Sequence, residues 1–84
     1  MKVQIDKTQY TKFVDASVDA FTAQCRGADG WEVLFATSKP APDTDGVIVP
    51  PGLPYGLTRS NGVGNGWAKL PANASAQTAD VVVT

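Results

Sequence analysis

An all-β fold, a small β-sandwich or barrel of about seven short strands, is what this sequence predicts. Two observations carry it. Apolar and polar residues alternate over short runs, as where Trp31, Val33 and Phe35 flank Glu32. Glycine, proline, asparagine and aspartate break the chain at intervals of about 8–12 residues, the spacing of turns in small β domains. The stretch Trp31–Gly52 shows both features at once: an apolar run, a loop broken by Pro40 and Pro42, a second apolar run, and the turn Pro50-Pro51-Gly52.

Taken in order, Val3 and Ile5 alternate with Lys2, Gln4 and Asp6, which reads as a first strand or, over residues 1–7, an extended arm. Residues 8–25 admit two readings. Tyr10, Phe13, Val14, Ser17, Val18, Phe21 and Cys25 fall at helical spacing, and a helix there would make the fold α+β. Composition opposes it. Thr8, Thr11, Val14, Val18 and Thr22 are β-branched, and Asp15, Ser17 and Asp19 favour turns. Two strands, Tyr10–Val14 and one through Phe21–Cys25, are preferred. Arg26–Gly30 is a strong turn signal and predicts a hairpin into the strand at Trp31.

That strand has apolar residues on both faces, so it belongs inside a sheet or under a second layer. Lys39–Gly46 is irregular, because Pro40 and Pro42 lack amide donors. Val47-Ile48-Val49 is expected to pack as a brief strand, followed by an extended, proline-rich path through Tyr55. Leu57-Thr58-Arg59 is a further short strand, Ser60–Gly66 a loop, and Trp67–Leu70 a strand ended by Pro71. The closing run Ala79–Thr84 carries Val81, Val82 and Val83, apolar on both faces, and should lie inside a sheet or against a neighbour.

With 84 residues the chain is one domain, 1–84. A core of this size supplies about 3–5 kcal/mol, and small scaffolds add a disulfide, a metal or association. Cys25 is the sole cysteine and there is no histidine. That leaves association as the available support, with no metal or cofactor expected. The net charge is −1 and the seven basic residues are scattered, so no row of phosphates is matched and nucleic acid is not an expected partner. No run approaches the ~20 apolar residues of a membrane helix. Met1–Asp6 lacks the apolar centre of a signal peptide, which predicts cytoplasmic synthesis and a reduced Cys25.

No catalytic constellation emerges. Asp43-Thr44-Asp45-Gly46 begins like a calcium loop, but Val47-Ile48-Val49 stands where further oxygen ligands are needed. Gly62-Val63-Gly64-Asn65-Gly66 lacks the glycine and the following helix of a dinucleotide loop. Cys25 has no base to activate it, and Glu32 has no carboxylate neighbour for acid–base work. Trp31, Trp67 and Tyr55 suit a core, a subunit interface or a platform for sugar rings.

In sequence order there follow Phe21-Thr22-Ala23-Gln24-Cys25, a glycine turn, Trp31-Glu32-Val33-Leu34-Phe35-Ala36, and the loop Ser38–Gly46. Trp67-Ala68-Lys69 and the terminal Val81-Val82-Val83-Thr84 complete the series. Over residues 20–84 this arrangement resembles the small all-β virion structural proteins of tailed bacteriophages. The resemblance is one of pattern, not of a diagnostic motif. It implies a non-enzymatic capsid decoration or accessory subunit, made in the host bacterial cytoplasm and located in the virion, that oligomerises and stabilises the particle. A tail, collar or fibre component that binds carbohydrate is the alternative. The implied partners are the major capsid protein or tail proteins, and further copies of the chain, with a trimer as a simple closed assembly. The contact residues expected on this reading are Trp31, Tyr55, Trp67 and Val82, with Pro40–Pro54 as a semi-rigid docking segment.

Overall fold

A computed structural model describes residues 1–18, 20–53, 55–58 and 64–84, with 55–58 described as backbone. The described residues form eight strands and no helix: β1 (Lys2–Asp6), β2 (Thr11–Val14), β3 (Ala20–Arg26), β4 (Trp31–Ala36), β5 (Val47–Val49), β6 (Tyr55–Thr58), β7 (Asn65–Lys69) and β8 (Thr78–Val83). They build two four-stranded antiparallel sheets, ordered β1-β8-β3-β6 and β2-β7-β4-β5. One apolar cluster draws on both sheets, so the architecture is a sandwich.

Residues 8–25 hold two strands rather than the alternative helix. Asp6 ends β1 by accepting hydrogen bonds at one carboxylate oxygen from the amides of Thr8 and Gln9 and from the Thr8 hydroxyl. The Thr8 amide in particular holds the Asp6 carboxyl below its ordinary value. Asp15 repeats the device after β2, accepting from the Ser17 amide and hydroxyl. These local bonds offer the backbone a turn in place of a helix. The apolar spacing that mimics a helix has another origin. β2 pairs with β7 through a register shift between Lys12 and Val14, which turns the neighbours Phe13 and Val14 both inward.

The predicted hairpin across Arg26–Gly30 is not formed. β3 pairs with β6 and β8, whereas β4 pairs with β5 and β7 in the other sheet. The reason lies in the burial of both flanks. Phe21, Ala23 and Cys25 on β3, and Trp31 and Val33 on β4, all point into the core. Two strands that face each other across a core sit in opposite layers, so the turn passes the chain from one sheet to the other. Gly30 permits the crossing, since a Cβ there would lie 2.8 Å from the Val49 carbonyl oxygen. Asp29 pins the turn through bonds from the amides of Ser75 and Ala76 and the Ser75 hydroxyl.

β8 occupies the interior position expected for a strand with two apolar faces, between β1 and β3. Both chain ends are tied to this sheet. The Met1 ammonium donates to the Val83 carbonyl at 2.9 Å, and Thr84 and Thr22 exchange backbone hydrogen bonds at 2.8 and 3.0 Å. β5 forms as a strand, yet its packing differs from expectation: Val49 is buried, while Val47 and Ile48 are 62% and 56% exposed. As the last strand of its sheet, β5 has a neighbour on one side only among the described strands. The readings of Arg59 as part of a strand and of 60–63 as part of a loop lie outside the described residues.

Four aromatic rings bridge the layers. Phe13 meets Phe21 edge-on at 5.7 Å and Trp31 at 5.5 Å, and Phe35 closes the group at 6.5 Å from Phe13 and 6.2 Å from Phe21. Room for Phe13 comes from Gly66, where an added Cβ would collide with the Val14 side chain and approach the Phe13 ring to 3.0 Å. Gly66→Ala is therefore expected to destabilise by about 1–3 kcal/mol, the range for overpacking a close-packed core. A urea titration that shows an unchanged midpoint contradicts this packing.

Candidate functional site

β4 places its alternate residues on the outer face of the second sheet. There, Glu32 stands opposite Lys69 of β7 on one side and Ile48 of β5 on the other. The Lys69 ammonium reaches the Glu32 carboxylate at 3.4 Å and the Leu70 carbonyl at 3.3 Å, and lies 5.7 Å from the centre of the Tyr10 ring. Tyr10 directs its hydroxyl to the Thr44 carbonyl at 2.6 Å, with the other Glu32 oxygen at 3.3 Å. The irregular loop 37–46 folds over this cluster. Gly46 fits against it, since a Cβ there would come within 3.0 Å of both the Tyr10 hydroxyl and the Val33 carbonyl oxygen. Tyr10 is consequently 1% exposed and Lys69 6%. Burial, with the Glu32 carboxylate adding to it, pushes the Tyr10 hydroxyl up to about 12.

This cluster is structural in its geometry. Every polar end has a partner, and the tyrosine is held neutral. Its role is to latch the proline-broken loop onto the sheet. The sequence shows each member only in isolation, because Tyr10, Glu32 and Lys69 are separated by long stretches of chain and meet through β2-β7-β4 pairing.

Beside the latch, at one end of the sandwich, lies an open cleft of about 660 Å³. Its walls are Ala28, Ile48, Pro51, Pro71 and Ala72, and its polar groups are Asp29, Glu32 and Asn73. Among the described residues no lysine or arginine lines it. Asp29 is bonded to the neutral donors of Ser75 and Ala76, which hold its carboxyl below the ordinary range. Ile48 belongs both to the cleft and to the exposed edge of β5. Beyond it the chain continues through exposed Pro50, Pro51 and Gly52 to Leu53, which is 54% exposed. An acidic cleft thus adjoins an apolar sheet edge, and this is the surface best suited to hold another molecule.

The contact residues expected from the sequence do not converge there. Trp31 is 0% exposed and packs against Phe13 within the core, so its indole is withdrawn from any interface or sugar platform. Its inward direction follows from the β4 alternation that also buries Val33. Trp67 is half-buried on the outer face of the second sheet, beside Leu34 and Lys12, and its indole donates to the Ala36 carbonyl at 3.0 Å. Val82 is half-buried on the outer face of the first sheet, between Lys2 and Gln24. Trp67 and Val82 therefore lie on opposite sides of the sandwich. The Tyr55 side chain lies outside the described residues. Within the expected docking segment Pro40–Pro54, the part Val47–Leu53 carries the exposed apolar groups. Asp43 and Asp45 are exposed on the latch loop, and among the described residues no group of three or more acidic, cysteine or histidine side chains could hold a metal ion. Cys25 is buried, and desolvation raises its thiol above the ordinary value, which disfavours a nucleophilic thiolate.

The Tyr10 hydroxyl titrates higher in the folded chain than in an unfolded one, where it lies near 10.0. Its contribution to stability is complete below the unfolded value and is lost as pH rises from there through about 12. A difference titration at 295 nm between the wild type and Tyr10→Phe should isolate one tyrosinate step near 12. The variant should also lose roughly 1 kcal/mol at neutral pH, the net worth of one hydrogen bond. A step at the ordinary tyrosine value means the latch is open.

Lys69→Met alone removes the cation from a Glu32 held under the loop and should cost about 3–5 kcal/mol. Adding Glu32→Gln to the same chain should recover part of that loss, because no uncompensated charge remains. Thermal unfolding of the two variants is the check, and equal melting temperatures would count against the pair.

Compared with known proteins, the chain matches no family model, no curated protein and no solved structure, so the site rests on its geometry.

Proposed function

We propose that this chain is a non-enzymatic structural subunit of a virion, of the capsid decoration or accessory type, that works by binding and clamping neighbouring subunits. One observation carries the assembly part of this reading. The sandwich buries its aromatic side chains Phe13, Phe21 and Trp31 inside its own core, yet leaves Val47, Ile48 and Leu53 more than half exposed along one edge and its continuation. Apolar side chains gathered on a surface in this way support a contact with another protein. The proline-rich path through Pro50 and Pro51 presents them on a backbone with little freedom to lose on binding. The virion setting comes from the resemblance of residues 20–84 to small phage structural proteins.

The role is tested on particles. Antibodies raised against the purified chain, used in immunogold electron microscopy, should decorate tailed phage particles from the culture that naturally produces it. Unlabelled particles from a culture that contains the chain overturn the virion assignment.

A further inference from the structure

The edges of this sandwich are not protected alike. β1 carries Lys2 and Asp6, and β2 carries Lys12 together with its register shift. Charged residues and bulges are the usual means of keeping a sheet edge from pairing with a foreign strand. β5 has neither. It consists of Val47, Ile48 and Val49, its first two side chains are mostly exposed, and among the described strands it pairs with β4 alone. The acidic cleft opens directly beside it and shares Ile48. Within that cleft Glu32 is matched by Lys69 beneath it, whereas Asp29 forms no ion pair among the described residues. The cleft therefore holds, between apolar walls, one carboxylate with no cation at contact distance among the described residues, Lys7 acting on it from further away.

We propose that β5 receives an extended segment of a partner protein as an added strand, and that a lysine or arginine of that segment fills the cleft beside it. Backbone hydrogen bonds to the free side of β5 provide the affinity, and the cleft provides the selection. The stem of a basic side chain lies along Ile48, Pro51 and Pro71 while its charged end approaches Asp29. A second copy of this chain is a poorer occupant. Its own edge strand, Val47-Ile48-Val49, holds no basic residue and follows directly on Asp43 and Asp45. Pairing two copies edge to edge brings acidic groups toward the acidic cleft, and like charges across an interface disfavour it.

The proposal rests on the reading of the chain as an assembly subunit only in taking the partner to be a protein. A random peptide library displayed for selection against the purified wild-type chain is the probe. Enriched peptides should alternate apolar residues and carry a lysine or arginine. Their affinity should fall at least about tenfold on Asp29→Asn, which removes the cleft carboxylate that has no cation in contact, and on Ile48→Lys, which places a charge on the edge. Thermal unfolding of both variants establishes that they fold. The absence of enriched peptides, enrichment without a basic residue, or affinities indifferent to both substitutions overturns the proposal. So does a dimer in light scattering that Ile48→Lys disperses, since a second copy then holds the edge. The immunogold result is independent: labelled particles with a failed selection refute only the edge assignment, and unlabelled particles with a successful one refute only the virion setting.

Discussion

The contact of Phe13 with Phe21 and Trp31 is the constraint on which the rest of the sandwich depends. Phe21 comes from the sheet that holds both chain ends, and Phe13 and Trp31 come from the other. Edge-to-face rings are large and directional, so they set both the spacing and the relative position of the layers. Their placement dictates features elsewhere. The shift in β2 exists to turn Phe13 inward, Gly66 clears the space it occupies, and the Arg26–Gly30 turn must cross the core because Trp31 belongs on the far wall from Cys25.

This arrangement is built from distant parts of the chain. Among the described strands, β4 and β5 are the one consecutive pair that are also neighbours in a sheet, and every other ladder joins strands separated by further elements. Such topologies form their contacts only after long loops close, so their folding is slow relative to helical domains of the same size. The pairing of β1 with β8 means that this sheet is complete only when both of these sequence-distant strands are in place. The Tyr10 latch adds a second, smaller nucleus of order on the outer face. A cation and a carboxylate are retained there beneath a loop, in a place where apolar residues of similar size would be easier to bury. What the charged pair supplies is direction: it aligns with the Tyr10 hydroxyl and fixes where residues 37–46 cross the sheet.

The same latch shapes the free edge. By holding Gly46 against Tyr10, it sets the point at which the chain enters β5, and Pro50 and Pro51 set where it leaves. β5 is thereby a short, firmly placed strand whose outward side meets no other described strand. Its apolar exposure and the acidic cleft are consequences of one local geometry, because Glu32 and Ile48 are direct cross-strand neighbours.

Much of the fold was legible in the residues themselves. Local alternation and turn chemistry are encoded within a few positions, so the all-β class and the interior place of Val81–Val83 follow from nearest neighbours along the chain, whereas for residues 8–25 composition favoured strands against a helical spacing. The identity of the irregular loop follows equally from Pro40 and Pro42. What tertiary structure alone decided is which strands share a sheet. The Arg26–Gly30 turn has the composition of a hairpin, and only the joint burial of Cys25 and Trp31 makes it a crossing between layers. The candidate site belongs to the same category. Tyr10, Glu32 and Lys69, or Asp29 and Ile48, carry no shared signal in sequence, since what brings them together is the register of ladders closed over long range. For Trp31 the two levels diverge most sharply. Its aromatic character suits a core and an interface equally, and the choice was made by the inward phase of β4.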